Sequence, residues 1–589
     1  MSRVDPHSFA DGAQPRQKHL RWRARVDFEA RRLLCTADLH FDRGGTEVDL
    51  DTRDLDVEAV QGPSGEALPF SLGPTDAVLG TRLRISLPPD GRCVVRYRTG
   101  ASATALQWLN VEQTASGRAP FLYSQCQPVH ARSVLPLQDT PRFRLTYEAA
   151  LTAPKEVRAL MGARSTGRTE EGTEATEGWA MESPIPPYLF AFAVGALASQ
   201  DLGPRSRVWA EPALLEKAAW EFAGVDDMLT QAERLLGPYV WGRFDVLVLP
   251  PSFPYGGMEN PTLTFLTPTV LAGDRSLVNV LAHELAHSWT GNLVSNATAE
   301  DFWLNEGFTV FVERRLLAVL EGAESVALHA AMGRQTLEDA VAGFRDRPGL
   351  TRLRTHLEGV DPDDAYSQVP YEKGFLFLRA LEESVGVTRF DGFLRRYLGR
   401  FAFQSLTTEE FLDFLRLELP EAWARVDVSA WVDGEGIPAD APAPASTRLQ
   451  VLRALGTQLP DVAQAKGWRP LEWQVYLARL ARPTPRATVE ALDEAFHLTQ
   501  AKNPDVLVAW LVPALSAGHA PALARAEAFL GEVGRMKYLK PVYGALLARD
   551  ETQKVAENCF QRFRSRYHAI AAAGVEHLFR RRGGRDAAH

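Results

Sequence analysis

Over the first two hundred residues apolar and charged positions alternate with a period of two. In RWRARVDFEARRLLCTADLHF (21–41) and GRCVVRYRTG (91–100), apolar or β-branched residues take every second place with charged residues between them. This is the pattern of half-buried antiparallel strands. STGRTEEGTEATEGWA (165–180) reads as a hairpin-like excursion rich in Gly, Thr and Glu, with no evident chemistry. The apolar run PIPPYLFAFAVGALA (184–198) is too short for a bilayer span and opens with prolines, which predicts buried strand.

From about Trp209 the period lengthens. LLEKAAWEFAGVDDMLTQAERLL repeats apolar residues at three-to-four spacing and predicts helix, and FDVLVLPPSFPYGGMEN predicts a strand running into a loop. Helical periodicity dominates from Ser276 to Val432. GEGIPADAPAPAS (434–446) is Pro/Ala-rich and aperiodic, a linker by composition. From Thr447 onward the chain reads as amphipathic helices with short breaks such as LTQAKNPDV and ALSAGHAPA, which predicts stacked helix pairs without a fixed-period repeat. A chain of 589 residues is too long for one core, so about three domains are expected.

Composition adds little to this picture. The 45% hydrophobic and 24% charged content is that of an ordinary globular protein, and a net charge of −9 leaves no polyanion-binding footprint. The run Arg580-Arg581-Arg582 is short and terminal and is expected as a solvated tail. Cys35, Cys93, Cys126 and Cys559 are widely spaced with no CxxC pair, as reduced core thiols are. The polar opening MSRVDPHSFADGAQPRQKH lacks the apolar stretch of a signal peptide, and a cytoplasmic location is expected.

The candidate chemistry lies in SLVNVLAHELAHSWTGN (276–292). Four residues on a helix advance about 6 Å and turn back to within about 40°, so His283 and His287 project from one face and can share an ion. Glu284, rotated by about 100°, cannot easily join them as a ligand but can reach a water beside the metal. Two imidazoles and one carboxylate with an open fourth position make a catalytic zinc site. The carboxylate is expected from NATAEDFWLNEGFTVFVERR, where eighteen residues separate His287 from Glu306. Gly291 is expected to end the first helix, and Asp301 to lie in the first turn of a second that carries Glu306 back. A charged Glu306 beside Trp303, Phe308 and Phe311 is costly to bury unless paired, and zinc supplies the pairing. Glu313 reads either as an acceptor for a ligand histidine's second N–H or as a salt-bridge partner of Arg314 or a neighbour. Upstream, PSFPYGGMEN (251–260) has two glycines, Gly256 and Gly257, that let the backbone approach something closely, with Glu259 on an apparently exposed edge strand.

Together, GGMEN and HELAH followed by the distant Glu306 resemble the zinc aminopeptidases of peptidase family M1, the gluzincin aminopeptidases. SQCQPVHARSVLPLQDTP (124–141), DPDDAYSQVPYEKG (361–374) and GRMKYLKP (534–541) resemble the leukotriene A(4) hydrolase-like branch of that family. The resemblance implies an α+β multidomain chain. Its parts are an N-terminal antiparallel β-saddle domain (1–201), a thermolysin-like α/β catalytic domain (202–437), a linker (438–446) and a C-terminal helical, HEAT/armadillo-like domain (447–589). It implies His283, His287 and Glu306 as ligands of one Zn2+ per chain, Glu284 as general base and Tyr371 as the phenol that stabilises the tetrahedral intermediate. Glu259 with Gln127 would hold a substrate's α-ammonium. Gly256, Gly257, Met258 and Tyr255 would border the substrate, Tyr366 and Asp363 would line the cavity, and Arg535 and Lys537 would bind a peptide's carboxylate end. Where the family reads NEG-His this chain has Phe308, which is not at a ligand position.

The implied activity is removal of the N-terminal residue from short peptides, without nucleic-acid or membrane partners. The same branch implies an alternative, hydrolysis of a hydrophobic lipid epoxide with water directed by the aspartate at Asp363. An aspartate of DPDD is equally readable as a cap for the helix that bears Tyr371. An inactive scaffold is disfavoured by the intact ligand set, and an endopeptidase by GGMEN.

Overall fold

The computed structural model describes residues 3–480 and 483–586. Its N-terminal part is built from the period-two strands. In Gln17–Asp27 the side chains of Leu20, Trp22, Ala24 and Val26 point into a core while Arg21, Arg23 and Arg25 point out. This strand lies at the centre of a seven-stranded sheet ordered Arg164–Glu171, Glu174–Ile185, Leu145–Pro154, Gln17–Asp27, Arg32–Phe41, Arg92–Thr99, Leu55–Gln61. Its neighbours are antiparallel except that Gln17–Asp27 runs parallel to Leu145–Pro154. The expected hairpin excursion is the outer strand pair Arg164–Glu171 and Glu174–Ile185. The run with three prolines forms a short turn and then the fully buried strand Phe192–Gly195. That strand belongs to a four-stranded sheet, and no helix among the described residues is long and apolar enough to cross a membrane. The core under these sheets reaches Leu249, Phe253 and Met258, so it supports the glycine loop from below.

The middle of the chain is a five-stranded sheet flanked by helices. Ser206–Ala210, Phe244–Val248 and Leu263–Leu266 are parallel, with Ala198–Asp201 and the two-residue strand Gly257–Met258 antiparallel at the edges. Continuous apolar runs such as FDVLV fit strands covered on both faces. The helical stretch after Trp209 is two helices, α1 (Pro212–Glu221) and α2 (Val225–Leu236), with Gly224 as the N-cap of the second. Then follow α3 (Val278–Ala286), α4 (Trp303–Leu320), α5 (Ala323–Gly343), the short α6 (Pro362–Ala365) and α7 (Val369–Val385). Asp301 is not in α4. It ends a 3-10 turn (Ala299–Asp301), because its carboxylate accepts from Thr298 Oγ1 and from the backbone N–H and hydroxyl of Thr408.

The crossing of α4 and α7 is set by two glycines. A Cβ placed on Gly307 would stand 2.7 Å from the Gly374 Cα, so the two backbones touch. Gly307 follows Glu306, and Gly374 lies one turn past Tyr371, so this contact fixes how far apart those two side chains start.

Residues 434–446 carry neither helix nor strand. Beyond them the chain is helical, with a core that includes Tyr476, Trp510, Leu511, Phe529, Tyr543 and Val575. This unit docks on the glycine loop, where the Met536 N–H donates to the Pro254 carbonyl at 3.0 Å and Gly534 packs on Pro251 and Ser252. The Arg580-Arg581-Arg582 run is not a free tail. It continues the last helix, Ala569–Asp586, and Arg582 pairs with Asp550. All four cysteines are buried free thiols.

Overpacking a closed backbone contact costs roughly 1–3 kcal/mol. Gly307→Ala is therefore expected to lower the thermal midpoint by several degrees, read by calorimetry on metal-loaded protein. Gly343→Ala, whose Cβ would meet nothing within 4 Å, is expected to leave it unchanged.

Candidate metal centre and substrate cleft

Helix α3 places His283 in its last turn, and His287 forms its C-cap with φ −55° and ψ −24°. The helix ends there rather than at Gly291. That glycine adopts φ +140° in the following turn, where a Cβ would strike His287 Nδ1 at 2.6 Å. The two imidazole Nε2 atoms face each other at 3.2 Å. Glu306, brought back by α4, puts Oε2 at 3.3 Å from the His283 Nε2 and 3.4 Å from the His287 Nε2. That oxygen is buried without a hydrogen-bond partner. A tetrahedral cation with bonds of about 2.0 Å would have donor–donor edges of about 3.3 Å, so the three atoms fit one small borderline-soft ion such as zinc.

The second nitrogen of each imidazole is tied down. His283 Nδ1 donates to Glu313 Oε2 at 3.0 Å, and His287 Nδ1 donates to the Thr290 carbonyl at 3.0 Å. Thr309 Oγ1 also donates to that carbonyl, at 2.6 Å. These bonds place the protons on Nδ1 and leave both Nε2 lone pairs facing Glu306. Arg314 does not pair with Glu313; its guanidinium takes both oxygens of Glu372 at 2.8 Å. Thr290 and Thr309 escaped the sequence reading, although a threonine one turn past Glu306, between the apolar residues Phe308 and Val310, is a visible signal.

Burial alone would pull His283 below its ordinary value, but the neighbouring carboxylates of Glu306 and Glu313 outweigh it and hold it well above. Glu306 moves the other way. Burial pushes it up, and the two imidazoles outweigh that and bring it below the ordinary carboxylate value. Glu284 is buried on the flank. Burial, opposed by His283 and His287 and reinforced by Glu259 and Glu306, pushes its carboxyl up to about 7.

Each glycine of the GG pair has an identifiable neighbour. A Cβ on Gly257 would stand 2.4 Å from Glu284 Oε1, and one on Gly256 would stand 2.5 Å from an Arg535 guanidinium nitrogen. Glu259 is not exposed. It directly follows the edge strand Gly257–Met258, and with the 125–127 segment packed against it Glu259 retains only 3% of its surface. Gln127 Nε2 donates to Glu259 Oε1 at 3.3 Å, Gln125 Nε2 lies 3.1 Å from the Met258 sulfur, and Asn292 Nδ2 donates to the Glu259 carbonyl at 2.7 Å. Donor atoms of Glu259, Glu284 and His287 lie within 4.8 Å of one another. Three carboxylates therefore share one buried space with two imidazoles, and burial raises Glu259 above its ordinary value.

Tyr371 enters from the first turn of α7, its ring stacked on His283 at 6.1 Å and edge-on to Phe302 at 6.0 Å. Burial holds its phenol well above 10, so it keeps its proton. Tyr366 reaches it, hydroxyl to hydroxyl, at 3.3 Å. Asp363 does not cap α7, whose N-cap is Gln368; the cap of the short α6 is Asp361, and Asp363 Oδ2 instead accepts from His130 Nε2 at 2.8 Å. Tyr255 packs on Phe253 at the mouth of the β-domain core.

Arg535 is buried, with one guanidinium nitrogen 3.3 Å from the Tyr538 hydroxyl. Lys537 is half exposed and its ammonium is committed to Asp505 at 2.8 Å, so the structure brings Arg535 but not a free Lys537 charge to the glycine loop. Phe308 lies away from the metal ligands, stacked on Tyr397 at 4.9 Å.

Known proteins share this architecture. Residues 220–431 match the Peptidase family M1 domain, 93–189 the Peptidase M1 N-terminal domain, and 468–579 the Leukotriene A4 hydrolase, C-terminal domain. The chain is 40% identical to leukotriene A-4 hydrolase of Xenopus laevis, across 96% of this chain and 98% of that protein. It is 36% identical to leucine aminopeptidase 2 of Yarrowia lipolytica, across 93% and 89%. The structure of yeast LTA4 hydrolase in complex with bestatin superposes with a TM-score of 0.90 at 32% identity, covering 98% of this chain and 97% of that one. An M1 zinc metallopeptidase from Deinococcus radiodurans shares the fold over 74% of this chain, with 22% identity and a TM-score of 0.59.

Loss of a hydrogen-bond partner behind a ligand imidazole typically costs about 10–100-fold in metal affinity. Glu313→Gln is expected to show a loss of that size in competition with a chromogenic chelator.

Proposed function

The chain belongs to peptidase family M1, and from that premise we propose that it is a zinc aminopeptidase that removes the first residue from short peptides. The observation that carries the reading is the buried Glu259, whose carboxylate stands in the same 4.8 Å cluster as Glu284 and His287. A free α-amino group has a pKa near 7.7–8.0 and is mostly cationic at neutral pH. Glu259, with the Gln127 amide on its Oε1, is an anchor for that ammonium one residue from the scissile carbonyl. An internal peptide segment has no charge to place there and would leave the carboxylate buried and unpaired.

His283, His287 and Glu306 would hold one zinc ion per chain, which supplies Lewis-acid polarisation of a carbonyl and acidification of water. Glu284, lying against Gly257, accepts a proton from the attacking water and returns it to the departing amine nitrogen. Tyr371 donates its phenolic hydrogen to the oxygen on which negative charge develops. Gly256, Gly257 and Met258 offer an open backbone edge along the substrate, with Tyr255 and Tyr366 as walls. Arg535 takes the terminal carboxylate of a di-, tri- or tetrapeptide. Lys537 contributes to the field there, although Asp505 neutralises much of its charge. Four buried free thiols suit a reducing compartment, and a cytoplasmic location belongs to the proposal.

A second reading is favoured by Asp363 and by the relative named leukotriene A-4 hydrolase. In it, a hydrophobic lipid epoxide enters the same cleft and Asp363 directs water to a carbon distant from the metal. A fatty-acid epoxide assayed beside an aminoacyl-anilide separates the two activities.

Metal-loaded Glu284→Gln is expected to retain its zinc by elemental analysis and to lose about three or more orders of magnitude in kcat, the scale of general-base loss. Near-normal turnover by that variant would refute the mechanism. The wild-type enzyme is expected to cleave a free tripeptide at least about a hundredfold faster than its N-acetylated form, the worth of a buried charge pair. Glu259→Ala should erase most of that preference, and equal wild-type rates on both peptides would rule out the ammonium anchor.

A further inference from the structure

The cleft loop from Leu357 to Tyr366 has little packing of its own. Glu358, Gly359, Asp363, Asp364 and Tyr366 are exposed, and its only helix is the four-residue α6. Within the catalytic domain it is tied by Glu300, whose Oε1 accepts from the Leu357 N–H at 2.7 Å. Tyr366 also meets the Tyr371 hydroxyl at 3.3 Å, and two further side-chain anchors come from the β domain, both of them histidines.

The first is His7, which is fully buried. Its Nε2 stands 3.0 Å from the Leu357 carbonyl and 2.9 Å from the Val360 carbonyl. Carbonyls only accept, so that nitrogen carries the proton and shares it between them. His7 is itself held by a buried frame, because Arg132 donates to its carbonyl at 2.7 Å and Asp5 accepts from its N–H at 2.8 Å. Arg132 in turn donates to Asp139 at 3.0 Å.

The second is His130, whose Nδ1 meets Thr104 Oγ1 at 2.9 Å and whose Nε2 donates to Asp363 Oδ2 at 2.8 Å. The imidazole is mostly enclosed, with 14% of its side chain exposed, whereas Asp363 is open at 43%. The ring is therefore the fixed member of the pair. The segment that carries His130 also carries Gln127, whose amide donates to Glu259. One β-domain segment thus contacts both Glu259 and Asp363.

We infer that the β domain sets the position of the 357–366 loop through these two histidines, and that His130 is a positioning residue for the Asp363 carboxylate. The inference rests on the reading of Asp363 and Tyr366 as cleft residues. By holding one carboxylate oxygen, His130 orients the group towards substrate. By holding the loop, it also sets where Tyr366 meets the Tyr371 hydroxyl, three and eight residues beyond Asp363.

The test uses full-length, zinc-loaded enzyme with His130→Ala, His130→Gln, Asp363→Ala and the His130→Ala/Asp363→Ala pair. Two readouts are taken: steady-state kinetics on a tripeptide, and amide hydrogen exchange across 357–368. His130→Ala is expected to speed exchange at 361–368 and to raise KM about 5–20-fold with kcat changed less than about threefold, the size of one charge-assisted hydrogen bond. His130→Gln, which keeps a donor of similar reach, should recover most of the loss. On the Asp363→Ala background, His130→Ala should add less than about twofold, as coupled sites do. His7→Leu should speed exchange at 357–360 without changing it at Glu259. Unchanged exchange in His130→Ala, or its full kinetic effect persisting without Asp363, overturns the inference. If His130→Ala speeds exchange while Asp363→Ala leaves the kinetics intact, the anchoring stands and the assignment of Asp363 to the cleft falls instead.

Discussion

Five ionisable groups, His283, His287, Glu306, Glu284 and Glu259, occupy one buried space, and most of the surrounding structure answers the cost of keeping them there. Two imidazole lone pairs and a carboxylate oxygen without a hydrogen-bond partner face one another at 3.2–3.4 Å. Buried charge without compensation is expensive, and a single divalent cation at that vertex compensates all three donors at once. The fold supports this arrangement by fixing directions. Glu313 and the Thr290 carbonyl hold the far sides of the imidazoles, and the Gly307–Gly374 contact sets α4 against α7.

Each of the chain's three major parts supplies a different piece of the cleft. The β domain brings Gln127 to Glu259 and His130 to Asp363. The middle part contributes the donors, Glu284 and Tyr371. The helical part brings Arg535 against Gly256. In the proposed aminopeptidase reading, a short peptide would place its positive end against Glu259 and its negative end towards Arg535, so that the field of the site would be aligned with the dipole of the substrate. Selection for short peptides would follow from that separation of charge, because a long chain could not put its carboxylate near Arg535 while its ammonium sat at Glu259. In that reading, the pairing of Lys537 with Asp505 would leave the carboxylate end of the peptide mainly to the buried Arg535 guanidinium.

The two adjacent glycines show how closely the parts are fitted. Neither is needed for a positive φ, since neither adopts one. Gly257 leaves the space of its absent Cβ to the Glu284 side chain from Cγ outward, and Gly256 leaves room for the end of the Arg535 guanidinium. A helix flank and a residue from the distant C-terminal part therefore converge on one dipeptide, which a turn preference alone would not have explained.

Period and spacing along the chain determined the strand-rich start, the helical middle and end, and the sharing of one helix face by His283 and His287, because these depend only on local geometry. The same local reasoning reached Glu306, since charge among Trp303, Phe308 and Phe311 demands a partner, and it framed Glu313 as one of two alternatives. Tertiary structure alone decided that the partner is His283 and not Arg314, because that choice depends on the crossing of α3 and α4. It also buried Glu259, just beyond an edge strand, by packing the 125–127 segment against it. It turned Asp363 from a helix cap into the partner of His130, 233 positions away. It ended α3 before Gly291 and set Asp301 outside α4, where Thr408 could reach it. Contacts between residues so far apart in sequence leave no periodic trace, so they become visible only once the three parts are packed together.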